Sequence, residues 1–221
     1  MTVALFFDEL VDAAIGFVGK RHRAILGIAG APGVGKSTLT EQLCAHIGDR
    51  MGAGWVAHVP MDGFHLSDNQ LRRRGAIDRK GAPDTFDVRG YAELLARIRT
   101  DDEYPIYAPG FERELEQPIA AELVVSPSAR LIITEGNYLL LGDAPWMRVH
   151  EQLDAVWFVA ADEVLRIQRL VNRHIAFGKA PAAARAWVHG TDQRNADLVA
   201  ATRGRADRVV GDLGAGWRFL D

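Results

Sequence analysis

The chain has 221 residues, of which 48% are hydrophobic and 25% charged, enough apolar material for a sizeable core and enough charge for solubility. A formal net charge of −3 offers no electrostatic footprint for nucleic acid and excludes it as the main partner. The single cysteine, Cys44, excludes an internal disulfide framework and any multi-cysteine zinc site, and no apolar run approaches the length of a membrane span.

The opening stretch MTVALFFDELVDAAIGFV lacks a basic leader and carries Asp8, Glu9 and Asp12, so it reads as an amphipathic helix within residues 1–23 rather than a secretion signal. A cytoplasmic protein without membrane insertion is the expectation. Ala24 to Ala29 is a short apolar run of the buried-strand type, and Ser37 to Ile47 repeats Leu39, Leu43 and Ile47 at helical spacing, with Cys44 as a small core residue. Between them lies Gly30-Ala31-Pro32-Gly33-Val34-Gly35-Lys36-Ser37-Thr38. Three glycines in one turn are tolerable where backbone curls tightly or approaches something closely. The spacing Gly30-x-x-x-x-Gly35-Lys36-Ser37 is the P-loop pattern: backbone N–H groups converge on phosphates, Lys36 reaches the β- and γ-phosphates, and Ser37 ligates Mg²⁺.

Further along, WVAHVPMDG reads as a strand and YAELLARIR as a helix with Leu94, Leu95 and Ile98 on one face. The runs ARLIITEGNYLLL and DAVWFVAAD are continuously apolar, as expected for parallel strands covered on both sides. DEVLRIQRLVNRHIAFG repeats at helix period, with Asp162 at its start and Gly178 at its end, and DRVVG and WRFLD are short strand candidates. Such alternation predicts an α/β fold with an open, mainly parallel sheet and helices on both faces, and ligands bound beyond the carboxyl ends of the strands.

Two acidic residues stand at such ends: Asp62 closes VAHVPMD, and Glu135 closes RLIIT before Gly136. A carboxylate there can orient Mg²⁺ or accept the proton of an attacking hydroxyl, and two carboxylates allow both. A turn or cap role for Asp62 and a plain strand end for Glu135 remain open on these grounds. Arg166, Arg169 and Arg173 step by three and four, so one helix face can aim them at a single anion.

The P-loop, together with MDGFHLSD (61–68), GAPDTFDVRGY (81–91), YPIYAPGFERELEQP (104–118) and LIITEGNYLLL (131–141), resembles the phosphoribulokinase, uridine kinase and pantothenate kinase superfamily. Within it the chain is most similar to the bacterial nucleoside kinase-like or fructose transport system kinase subgroup. The matching segments run in order from about Ile25 to Val210. The resemblance implies a single P-loop kinase domain over 1–221, with a helical lid at about 162–190. It further implies transfer of the γ-phosphoryl of ATP, with Mg²⁺, to a small-molecule hydroxyl substrate, with fructose favoured, and it allows a homodimer. By analogy Asp62 is the general base, Lys36 binds phosphate, and Ser37 and Glu135 hold the metal. His65, Asp87, Tyr107 and Arg113 fall in segments that contact substrate, Arg173 and then Arg169 are the lid arginines, and Asn195 lies near the adenine. The chain departs from the usual lid pattern at Val171-Asn172-Arg173-His174, which leaves the choice of arginine open. His65 and Tyr107 as packed rings, Arg113 paired to a neighbouring glutamate, and the run Arg72-Arg73-Arg74 as a solvated face are competing readings. A P-loop regulatory ATPase or nucleotide switch, and a nucleoside monophosphate kinase, stay as alternatives to the hydroxyl kinase.

Overall fold

The computed structural model describes residues 2–19, 21–212 and 216–220. In chain order the elements are α1 (Thr2–Gly16), β1 (Ala24–Ala29), α2 (Lys36–Met51), β2 (Val56–His58), α3 (Asp68–Arg73), α4 (Val88–Thr100), β3 (Ile106–Glu112), β4 (Gln117–Val125), β5 (Leu131–Gly136), α5 (Ala144–His150), β6 (Ala155–Ala160), α6 (Glu163–Ala176), α7 (Pro181–Trp187), α8 (Gln193–Ala200), β7 (Arg208–Asp212) and β8 (Trp217–Phe219). A six-stranded sheet runs β2-β5-β1-β6-β7-β8, parallel except for the antiparallel edge pair β7–β8. Every residue of β1 and β5 is buried, because helices cover both faces of the sheet.

Sequence periodicity carries through to packing. In α1, Leu10, Val11 and Ala14 enter the core while Asp8, Glu9 and Asp12 stay exposed. In α2, Leu39, Leu43 and Ile47 are fully buried. Cys44 packs against the core, and burial, with Glu41 nearby, pushes its thiol up to about 12. The Asp162 carboxylate accepts from the Leu165 N–H to start α6, and Gly178 follows its end in the left-handed region, at φ 89°.

Two expectations are corrected, and one element was not foreseen. β2 stops at His58, so Asp62 is not at a strand end; it sits in a 3₁₀ turn, Met61–Phe64, that follows the strand. The apolar run from Leu131 is strand only to Gly136, and Tyr138 to Leu141 are buried as loop. Residues 106–125 form an antiparallel hairpin, β3–β4, which no sequence expectation covered; the charge-rich residues 113–116 are its turn.

Long-range polar contacts set the frame. The buried Arg23 guanidinium donates to the carbonyls of Ala129 (2.8 Å), Ile98 (2.6 Å), Asp101 (2.9 Å), Ser126 (3.2 Å) and Pro127 (3.2 Å), tying β1 to the end of α4 and to the β4–β5 connection. Asp154 accepts from the Ile25 N–H at 2.8 Å and Asp207 from the Val156 N–H at 2.7 Å, satisfying backbone donors of β1 and β6.

His58 has a buried Nε2 without a protein hydrogen-bond partner among the described residues. Burial pushes it down to about 4, against the pull of Glu41 and Asp62. The unfolded chain, with an ordinary imidazole near 6.5, binds the proton first, so native stability is full above about pH 6.5 and falls as pH drops toward 4. We expect urea unfolding to show a loss of about 2 kcal/mol between pH 6.5 and 5 that His58→Gln largely removes. Identical pH profiles for the two proteins would exclude His58 as the source.

Candidate active site

The carboxyl ends of β1 and β5 are adjacent, with Ile28 opposite Glu135 and Ala29 opposite Gly136. β1 delivers the P-loop and β5 delivers Glu135 and Asn137. Across this junction the Ser37 hydroxyl donates to Glu135 Oε1 at 3.0 Å. The Lys36 ammonium donates to the Ala31 carbonyl at 3.1 Å and to Asn137 Oδ1 at 2.8 Å. Gly136 is what lets the 3₁₀ turn close on β5: a Cβ there would lie 2.6 Å from the Cβ of Met61. The turn thereby brings Asp62 to the same rim, with 29% of its side chain exposed.

Asp62 is surrounded. Arg113 Nη2, from the β3–β4 turn, lies 3.4 Å from Asp62 Oδ2, and His65 Nδ1 lies 2.9 Å from the Asp62 carbonyl. The His65 ring packs at a tilt against Phe86 and Phe111, with centroids 4.1 and 4.8 Å away. Burial acts to raise the Asp62 carboxyl, but His65, Arg113, Lys36 and Arg173 together hold it below the usual carboxylate range. Glu135 goes the other way, raised by burial and by the charge of Asp62 against the pull of Lys36 and Ser37. Burial also lowers the Lys36 ammonium, which Glu135 and Asp62 partly offset. Two carboxylates on one rim are therefore driven apart in acidity, with Asp62 the stronger acid of the two.

α6 closes over the P-loop. Arg166 is 2% exposed, spans Glu163 and Gln193 and donates to the Pro32 carbonyl at 3.3 Å. This makes Arg166 a strut, while Arg169 and Arg173 line the cleft. The cleft measures about 570 Å³ and is lined by Lys36, Ser37, Asp62, His65, Arg113 and Glu135. That volume is within the range of small-ligand sites.

Two expected substrate residues are not brought there. The Asp87 carboxylate caps α4 by accepting from the Gly90 N–H at 2.9 Å, and Tyr107, on β3, is 63% exposed opposite Val124; neither lines the cleft. Asn195 does line it, but its amide donates to the Gly81 carbonyl at 3.4 Å, joining α8 to the loop before α4. Sequence reasoning missed Asn137, two residues beyond Glu135, and the pairs Lys80–Asp68 (2.7 Å) and His174–Asp192 (2.8 Å), all of which line the cleft. Only the Asn137 position carried a signal, as the next polar residue after the strand. Among the described residues no three acidic, His or Cys side chains form a ready-made metal site. Ser37 and Glu135 are the oxygen donors that Mg²⁺ could share with phosphate oxygens.

No profile of a known protein family matches the chain. A Schizosaccharomyces pombe protein provisionally named uridine kinase C227.14 is 32% identical over 176 residues, spanning 78% of this chain and 75% of its own. The ATP-dependent kinase-like protein notR′ of Aspergillus versicolor is 38% identical over 169 residues, 72% of this chain and 96% of its own. A Silicibacter sp. TM1040 crystal structure, provisionally named a fructose transport system kinase, superposes with a TM-score of 0.83 at 34% identity, covering 95% of this chain and 98% of that one. The chain belongs to the phosphoribulokinase, uridine kinase and pantothenate kinase superfamily of P-loop kinases. The kinase is thus an ATP-dependent phosphotransferase acting on hydroxyl acceptors, with a small-molecule substrate.

Contact between α6 and the P-loop depends on Gly33. Its φ is +82°, and a Cβ there would meet Leu170 Cγ at 2.6 Å and the Arg166 carbonyl at 2.9 Å. We expect Gly33→Ala to destabilise the kinase by about 1–3 kcal/mol in urea unfolding, from backbone strain and overpacking together. Leu170→Ala should not restore it, because the strained φ persists; full rescue by the double change would show that crowding alone is responsible.

Proposed function

We propose that the kinase transfers the γ-phosphoryl of Mg·ATP to a hydroxyl of a sugar-like acceptor, with fructose the favoured compound. The observation that supports this best is the ionised, part-exposed Asp62 carboxylate facing the P-loop Lys36 across one cleft. When bound, Mg·ATP supplies the phosphoryl group and the metal neutralises its charge. Asp62 accepts the proton of the attacking hydroxyl at its Oδ oxygens. Arg113 holds that carboxylate ionised and oriented until the hydroxyl arrives, and His65 fixes the turn that carries it through the Asp62 carbonyl. Lys36 and the backbone N–H groups from Gly30 to Thr38 bind the phosphates, and Asn137 keeps the Lys36 ammonium aimed at them. Ser37 and Glu135 would hold the metal; the raised Glu135 fits this, since a nearby cation would restore its ionised form. Residues 162–190 act as a lid in a single kinase domain, offering Arg173 and Arg169 to the transferring group and excluding water. The fructose preference rests on the name of the Silicibacter relative and on the subgroup resemblance.

Asp62→Asn should keep nucleotide affinity within about threefold while turnover falls by roughly 10²–10⁴. Calorimetric titration with a nonhydrolysable ATP analogue and ADP release with fructose read the two quantities. Turnover of the variant within about tenfold of the parent chain would remove Asp62 from the role of base.

A further inference from the structure

The wall of the cleft beyond Asp62 is built from three segments that hold one another. His65 bonds back to the Asp62 carbonyl. The Asp68 N–H donates to Gln117 Oε1 at 3.2 Å, and Lys80 Nζ donates to Asp68 Oδ1 at 2.7 Å and to the Glu116 carbonyl. The start of α3, the Ile77–Gly81 loop and the β3–β4 turn thus meet on the side of Asp62, whereas α6 meets the P-loop through Gly33 and Arg166.

Both cations on this wall are already matched. Arg113 faces Asp62 at 3.4 Å and Lys80 faces Asp68 at 2.7 Å; the pair is partly buried, with side chains 15% and 30% exposed. Phe111 links them, since Lys80 and Arg113 lie 5.8 and 6.0 Å from its ring centroid. With Glu116 also lining the cleft, carboxylates outnumber cations on this wall. Of the other cations lining the cleft, Lys36 is held at the P-loop, Arg169 and Arg173 stand on α6, and Lys179 lies 5.2 Å from the Trp187 ring centroid.

We infer that the acceptor is an uncharged polyol, whose remote hydroxyls donate to Asp68 and accept from Lys80 while the reacting hydroxyl faces Asp62. A matched carboxylate–ammonium pair offers one acceptor and one donor side by side, which suits adjacent hydroxyls. A phosphomonoester or carboxylate would instead be set against Asp62, Asp68 and Glu116 without a spare cation on this wall, and like charges in such a place repel. The inference rests on the kinase reading and separates the neutral acceptors used within this superfamily from the anionic ones.

The test is ADP release by the full chain with Mg·ATP and a panel of acceptors. Fructose, other hexoses and pentoses, and uridine are each compared with their phosphomonoesters, and pantothenate and glycerate serve as carboxylates. We expect one neutral polyol to raise the rate at least about tenfold over the control without acceptor, with every anionic compound within about twofold of that control. Asp68→Asn and Lys80→Met should each raise KM for that polyol at least about tenfold while KM for ATP moves less than about threefold, a split that general damage to the fold would not produce. Fastest turnover with an anionic compound overturns the inference and leaves the kinase standing; rates unmoved by every compound overturn both. An unchanged polyol KM in the two variants removes Asp68 and Lys80 as the groups that read it.

Discussion

The Lys36 ammonium is the charge around which the cleft is arranged. It is buried, and an unpaired ammonium in that position would lose its proton or unfold its surroundings. The protein meets this with an oxygen from each of two neighbouring strand ends, the Ala31 carbonyl and the Asn137 amide, and with two carboxylates on the same rim. Those carboxylates cannot both ionise freely at close quarters. Arg113 and Lys36 favour the ionised form of Asp62, whereas burial and the Asp62 charge raise Glu135 and make it the weaker acid.

This balance links remote parts of the chain. Arg113 belongs to a hairpin outside the main sheet, and the same hairpin contacts Asp68 and Lys80 through Gln117 and Glu116. The element that tunes the carboxylate beside the phosphate site is therefore the one that shapes the wall beyond it. On the opposite side, α6 is pinned to the P-loop by the buried Arg166 and by the close approach at Gly33. A phosphate-binding loop thus lies between one element whose Arg169 and Arg173 line the cleft and another that carries matched ion pairs.

Local chemistry made much of this legible in advance. Glycine spacing beside an apolar strand marks a P-loop because few other uses tolerate so much backbone freedom at once. Continuous apolar runs mark parallel strands, and the 3.6-residue repeat marks α1, α2, α4 and α6. Asp62 and Glu135 stood out as acids near strand ends, even though a 3₁₀ turn intervenes before Asp62. Asp87 and Tyr107 lie away from the cleft for a shared reason: neighbouring residues in the chain do not reveal which direction a side chain takes, and Asp87 turned to a helix N-terminus while Tyr107 faced outward from its strand.

Sequence alone determined the fold class, the phosphate-binding loop and the acidic pair, because each follows from residues within a few positions of one another. Only the tertiary structure decided which cations remain free. Arg113 meets Asp62 across 51 residues, Lys36 meets Asn137 across 101, and Arg166 meets Pro32 across 134. Whether a charge serves a ligand or a neighbour depends on such distant contacts, since pairing energies fall off within a few ångströms and chain order does not encode that proximity.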